Sequence, residues 1–309
     1  MSFSAEVKTE LCQIETLPKD CRKALCYGAL LFGRRFSEKE ITLVTEHPGF
    51  GRLLTRQIAE ECGVFAEMKT KLTRRASTPE TCVVTVEGDD QRLRILGHFG
   101  HKPGELQLRI HRENLPDQES VAAFLRGVFL SCGSMIDPEK EYHLEFVVPH
   151  KKLAEDLLEL LNGLEAAELQ PALISRKGSY MVYLKGGDAI TDLLTFMGAQ
   201  SGPLELIQVR MMKDLRNDVN RRSNCETANI MKTANAAAVQ CIAIERIERF
   251  LGLSQLSPEL RELAELRMEN PEMSLRELGE NLSKPISRSG VNHRIQRLLE
   301  IADTLPELP

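Results

Sequence analysis

The feature that most restricts the fold is a repeat. Leu25-Cys26-Tyr27-Gly28-Ala29-Leu30-Leu31-Phe32-Gly33 aligns with Leu125-Arg126-Gly127-Val128-Phe129-Leu130-Ser131-Cys132-Gly133 at an offset of 100 residues. Such self-similarity means that one supersecondary unit has been used twice. Each apolar helix is followed by a candidate strand (Ile41 to Thr45; Tyr142 to Val148) and by a helix ending at glycine (Gly51 to Cys62 before Gly63; Lys151 to Asn162 before Gly163). A strand pair follows in both copies. It comprises Phe65 to Leu72 with Thr81 to Val86, and Ala172 to Arg176 with Tyr180 to Lys185 across a Lys177-Gly178-Ser179 turn. A further helix closes each copy. The pattern predicts a duplicated pseudo-twofold α+β domain, with Gly127, Ser131 and Gly133 letting the two apolar helices approach closely at its centre.

The C-terminal residues follow a different logic. Ser257-Pro258 has the form of a cap with proline at the first helical position, and Leu260, Leu263 and Leu266 recur at helical spacing until Asn270-Pro271. Ser274 and Glu277 fit a capping box, and Leu275, Leu278 and Leu282 give the second helix its apolar stripe. Lys284-Pro285 breaks the period, because a residue before proline is pushed out of the helical region. A third helix then buries Val291, Ile295, Leu298, Leu299 and Ala302. Three short helices joined by tight turns predict an all-α helix-turn-helix domain.

Charge is segregated along that domain. Lys284, Arg288, Arg294 and Arg297 stand in a stretch without a carboxylate, whereas seven glutamates lie between Glu259 and Glu280. The outer face of the third helix predicts duplex DNA contacts from Lys284, Ser287, Arg288, Ser289, Asn292, His293, Arg294, Gln296 and Arg297. Arginines and the helix N-terminus suit phosphates, and amide or guanidinium forks suit base edges. The acidic helices are expected to stay on the solvent side. The plain alternative is a three-helix bundle with a merely solvated basic face; cap, turn and segregation together favour DNA.

A net charge of −5 is no obstacle, since local rather than total charge meets a phosphate. With 309 residues and 42% hydrophobic content the chain can build two or three cored domains. No signal-peptide pattern opens it and no uninterrupted apolar run reaches membrane-spanning length, so a cytoplasmic, nucleoid-associated protein is expected. The eight cysteines lie scattered without a C-x-x-C pair and read as buried free thiols. No metal, cofactor or catalytic residue is predicted.

The nine-residue core with glycines at 127 and 133 resembles the LAGLIDADG motif of homing endonucleases, and its duplication resembles their monomeric form. In that family the eighth motif position carries a metal-binding carboxylate; the corresponding residues are Phe32 and Cys132. Neither supplies the hard oxygen ligands that a metal-dependent phosphodiesterase needs, so no nuclease activity is expected. Asp137, four residues past Gly133, reads as part of a turn entering the next strand. Joined to the helix-turn-helix, the arrangement resembles the WhiA family of bacterial transcriptional regulators. The marks are Met1-Ser2-Phe3-Ser4 before Val7-Lys8 and Glu10-Leu11, Phe124 to Gly133, Arg216-Asn217-Asp218-Val219-Asn220-Arg221-Arg222, and Ser287 to Arg294. The resemblance implies a regulator of cell division, chromosome segregation or sporulation that keeps a degenerate LAGLIDADG-like scaffold.

The expected division is a LAGLIDADG-like domain over 1–220 (repeat halves about 20–100 and 120–200), a connecting helix over 221–252 and the helix-turn-helix over 253–309. The connecting helix is placed from about Thr227 to Leu251, ended by Gly252. Between Arg210 and Lys232 cations outnumber acids, and Arg216, Asn220, Arg221 and Arg222 offer a secondary DNA contact or local caps and turns. Lys69, Lys71, Arg74, Arg75, Arg92, Arg94, Arg109 and Arg112 either line an ancestral DNA saddle or are solvated sheet residues, the plainer reading. Two competing functions remain: an active endonuclease, or a scaffold that brings RNA polymerase or a division protein to DNA.

Overall fold

The structure is a computed structural model that describes residues 2–14, 17–71, 81–164, 169–176 and 178–307. The chain divides into two compact units, Met1–Lys213 and Asp214–Pro309.

The first unit contains the repeat. Helices α1 (Phe3–Cys12) and α2 (Lys19–Leu31) lead into strands β1 (Arg35–Phe36) and β2 (Ile41–Thr45), then α3 (Pro48–Cys62), β3 (Glu67–Lys71), β4 (Thr81–Thr85) and α4 (Asp89–His98). The second copy runs α5 (Gln118–Cys132), β5 (Gly133–Met135), β6 (His143–Val148), α6 (Lys151–Asn162), β7 (Ala172–Arg176), β8 (Ser179–Lys185) and α7 (Gly187–Phe196). Both four-stranded antiparallel sheets have the same order, β1-β2-β4-β3 and β5-β6-β8-β7. The strands and helices expected from the pattern are present. The edge strands β1 and β5 are additional; at two and three residues they are too short to show alternation. Leu72 and Lys177, assigned above to a strand and a turn, lie outside the described residues.

The centre of this unit is the pairing of α2 with α5. A Cβ on Gly28 would sit 2.4 Å from the Phe124 carbonyl oxygen, and one on Gly127 would sit 2.2 Å from that of Leu25. These reciprocal contacts relate 28 to 127 and 25 to 124, an offset of 99 (127 − 28 and 124 − 25). The matching strings run at 100, so the local twofold is one residue out of step with them. Backbone proximity selects the small residue at the crossing, whereas the string match is anchored on Gly33 and Gly133. Gly133 meets the Phe129 side chain of its own copy, not the opposing helix. Around the crossing, one core of buried aliphatic and aromatic side chains extends from Phe3 to Leu206.

The segment between the copies is fastened to both. Arg109 donates to both carboxylate oxygens of Asp156 on α6 (Nε at 2.7 and 3.0 Å, Nη2 at 2.7 Å), and the Ile110 amide donates to the same carboxylate at 2.9 Å. On the other side, the hydroxyl of Tyr27 on α2 accepts from the His111 amide at 2.9 Å and lies 3.0 Å from His101 Nε2.

Helix α8 extends over Ser201–Phe250. It therefore begins well before the Thr227 start expected from apolar periodicity and is one helix through the stretch read as a joining segment. Exposed charge masks the apolar period there, but pairs such as Asp218–Arg222, at i,i+4 and 2.9 Å, are themselves a helical signature. The start of α8 is capped from far away: Glu10 accepts from the Ser201 amide at 2.7 Å and the Gly202 amide at 3.1 Å. Burial pushes the Glu10 pKa up, but these backbone bonds outweigh it and hold the carboxyl below its ordinary value. No described helix is long and apolar enough to cross a membrane.

Candidate nucleic-acid interface

In the second unit, the later part of α8 packs with α9 (Pro258–Glu269), α10 (Leu275–Glu280) and α11 (Arg288–Asp303) around Ile244, Ile247, Leu263, Leu278, Val291, Ile295 and Leu298. Local chemistry sets the ends of these helices. Pro258 occupies the first turn of α9, and Ser274 and Glu277 form the expected capping box on α10. The Ser287 hydroxyl accepts from the Gly290 amide at 3.3 Å, capping α11. The turn between α10 and α11 depends on a residue the pattern did not single out. A Cβ on Gly279 would lie 2.4 Å from the Ile286 carbonyl oxygen, while the Ile286 amide donates to the Gly279 carbonyl at 3.0 Å. A glycine inside an otherwise apolar-striped helix was its available signal.

The predicted contact residues separate into two groups. Lys284, Ser287, Arg288, Ser289, Asn292, His293, Gln296 and Arg297 are all exposed. Arg288, Asn292, His293, Gln296 and Arg297 make no side-chain hydrogen bond or ion pair among the described residues, leaving a row of uncommitted donors along α11. Arg294 is different. Its Nη2 lies 2.9 Å from Glu259 on α9, and its side chain is only 20% exposed. A second glutamate also turns inward, since Glu262 accepts from the Ser283 hydroxyl at 2.9 Å. The acidic helices thus brace the turn and α11; they do not all remain on the solvent side. The local reason is reach: Glu259 and Glu262 lie one turn apart on the face of α9 nearest these partners.

The residues proposed for secondary contact lie on α8. Arg222 is paired with Asp218 at 2.9 Å, and Asn220 and Arg221 are exposed. Arg216 is also exposed and has an intramolecular partner.

At the positions that the resemblance aligns with the metal-binding carboxylates, Phe32 is 3% exposed and packs edge-on against Phe124, with ring centroids 6.0 Å apart. Cys132 is a thiol whose pKa burial pushes up to about 12. With the offset of 99, the counterpart of Cys132 becomes Gly33 rather than Phe32, and neither carries a carboxylate. A cation lies at this end of α5: Lys8 Nζ donates to the Leu130 carbonyl at 3.4 Å and lies 5.6 Å from the Phe129 ring centroid. Asp137 serves a turn, its side chain accepting from the Glu139 amide at 2.9 Å.

Many cations of the first unit are engaged internally. Lys69 contacts Glu67 at 2.8 Å and Glu87 at 3.8 Å. Arg92 donates to the carbonyls of Glu38 at 2.9 Å and Val86 at 3.1 Å. Arg74 and Arg75 lie outside the described residues. All eight cysteines are free; Cys21, Cys26, Cys62 and Cys82 are buried as expected, but Cys225 on α8 is exposed. His101, Glu105 and His111 bring three possible metal-binding groups together. Their imidazoles stack at 4.1 Å with planes 11° apart, so no one ion lies in the plane of both rings. Instead His101 Nδ1 is 2.6 Å from Glu105, which orients the His101–Tyr27 contact.

A duplicated LAGLIDADG-like unit followed by a helix-turn-helix defines a composite class of protein. The comparisons give that class a family. Residues 121–216 match the WhiA LAGLIDADG-like domain and residues 219–302 the WhiA C-terminal HTH domain. The chain is 43% identical over 320 residues to the probable cell division protein WhiA of Clostridium perfringens (strain SM101), covering 99% of this chain and 98% of the relative. Its identity to the probable cell division protein WhiA of Clostridium botulinum (strain Hall) is 39% over 318 residues, covering 99% of both. The crystal structure of full-length DUF199/WhiA from Thermatoga maritima shares the fold over 100% of both chains, with a TM-score of 0.61 and 24% identity. The chain belongs to the WhiA family.

Proposed function

We propose that the protein is a sequence-specific regulator of transcription that reads duplex DNA with α11 and acts in cell division, chromosome segregation or sporulation. The observation that carries this reading is the row Arg288, Asn292, His293, Gln296 and Arg297, exposed and without internal partners among the described residues. Helix-turn-helix proteins place the N-terminal residues of such a helix in the major groove. The names of the Clostridium relatives, probable cell division proteins, support the division role. In this reading the division at about residues 220 and 252 separates scaffold, connector and DNA reader, and the protein works in the cytoplasm on the nucleoid.

We further infer that the LAGLIDADG-like unit does not cut DNA. Phe32, Gly33 and Cys132 supply no carboxylate, and Lys8 brings positive charge to the same end of α5. The competing reading is an active endonuclease, which requires divalent-metal-dependent cleavage by the purified protein. A role for the first unit in holding RNA polymerase or a division protein requires that its deletion abolish regulation while DNA binding survives.

The direct test measures duplex affinity of Arg288→Ala and Asn292→Ala variants across a salt series. Loss of a base-edge contact is expected to cost about 1–3 kcal/mol on the preferred sequence. Wild-type affinity and salt slope in both variants would reject α11 as the reading helix.

A further inference from the structure

A cavity of about 380 Å³ opens beside α11, bordered by α8, α9 and α10. Its lining includes Lys232, Gln240, Arg267, Arg276 and Arg288. Four of these are cations, and none of the residues lining it is a carboxylate, in a chain whose acids outnumber its bases 45 to 40. Arg276 is neutralised by Glu280 at 2.9 Å. Lys232, Arg267 and Arg288 have no ion-pair partner among the described residues.

Arg267 gives the cavity its chemical character. It is 2% exposed, and its Nη1 donates to the carbonyls of Met273 at 2.6 Å and Pro271 at 3.3 Å. Its Nε has no hydrogen-bond partner among the described residues, whereas the unpartnered buried Gln240 Oε1 is an acceptor and adds nothing to anion binding. A guanidinium stays protonated in proteins, so a buried N–H without an acceptor carries a desolvation cost that an oxyanion beside it relieves. Arg288 is the first residue of the 16-residue α11, and the positive end of the helix adds to its charge.

We propose that this cavity receives a phosphate group. The inference rests on the reading of α11 as the DNA-facing helix, because Arg288 belongs both to that face and to the cavity. A duplex seated on α11 brings its backbone to this corner and makes Lys232 of α8 a phosphate contact. A free mononucleotide presents the same oxyanion, and the two sources are separable.

The experiment uses the full chain with Lys232→Gln and Arg276→Gln, both substitutions of exposed side chains, with thermal melts to show that each variant is folded. Affinity for a mixed-sequence duplex is measured across a salt series, and AMP is titrated at constant ionic strength. If the duplex is the source, Lys232→Gln weakens binding roughly three- to tenfold whatever the sequence and reduces the salt slope by about 0.9, while AMP does not compete. If the source is a free nucleotide, AMP binds the wild type, fails to bind Lys232→Gln, and the salt slope is unchanged. The proposal is overturned if the wild type binds duplex, both variants keep its affinity and slope, and AMP binds neither wild type nor variant; the DNA reading then still stands. A wild type that binds no duplex defeats the DNA reading instead, and the AMP titration then decides the cavity alone.

Discussion

Three cations of the first unit, Lys69, Arg92 and Arg109, and two of α11, Arg288 and Arg297, sit in opposite circumstances. Lys69 lies between Glu67 and Glu87, Arg109 grips Asp156, and Arg92 is tied to two backbone carbonyls. On α11, Arg288 and Arg297 are exposed and have no such partner among the described residues. Both regions are rich in positive charge when read as sequence. A guanidinium already engaged must break its contacts before it can meet a phosphate, whereas an uncommitted one surrenders only water. An existing partner therefore separates a cation engaged within the fold from an uncommitted one, and α11 carries both kinds, Arg294 paired with Glu259 and Arg288 without a partner among the described residues.

The strongest way to break this contrast is to disrupt the first unit and ask whether the DNA reader notices. Gly127→Ala places a Cβ 2.2 Å from the Leu25 carbonyl, and the helices must separate. Overpacking of this kind is expected to cost about 3 kcal/mol, seen as a lowered denaturation midpoint for the first unit. Survival of duplex affinity under native conditions would keep the roles distinct; equal loss of both would merge them.

A smaller effect is expected where the first unit caps α8. Glu10→Gln should cost about 1 kcal/mol near neutral pH. The folded-state pKa of Glu10 is depressed, so its contribution is present above the ordinary carboxylate value and is lost as pH falls through the folded value. The gap between wild type and variant in chemical denaturation should accordingly narrow below about pH 4.5. A gap that stays constant into acid would remove the charged cap from the account.

The smallest effect sharpens the comparison most. Arg294→Ala is expected to lower stability by about 0.5 kcal/mol through its partly exposed pair with Glu259, while leaving duplex affinity within about twofold. An affinity loss as large as that of Arg288→Ala would place Arg294 among the DNA contacts, as its position in the sequence first suggested.

Much of the fold was legible in local sequence. Ser274 with Glu277, Pro258, and the Lys284-Pro285 break specify helix ends through contacts that span three or four residues, and the structure has them where the pattern put them. The duplicated strands and helices were readable for the same reason: periodicity of two or near four records which face is buried. The exposed row on α11 also follows from that period, so most of the candidate site could be listed in advance.

Partner choice could not. That Gly28 and Gly127 cross at an offset of 99, that Arg294 turns to Glu259, and that Glu10 caps a helix starting 191 residues later depend on which surfaces the folded chain brings together. The sequence alone determined the elements and their buried faces, because each is encoded by neighbours within a turn or a strand. Only the tertiary structure decided which polar groups are spent on one another and which are left for a ligand, because a long-range partner leaves no periodic trace in the chain.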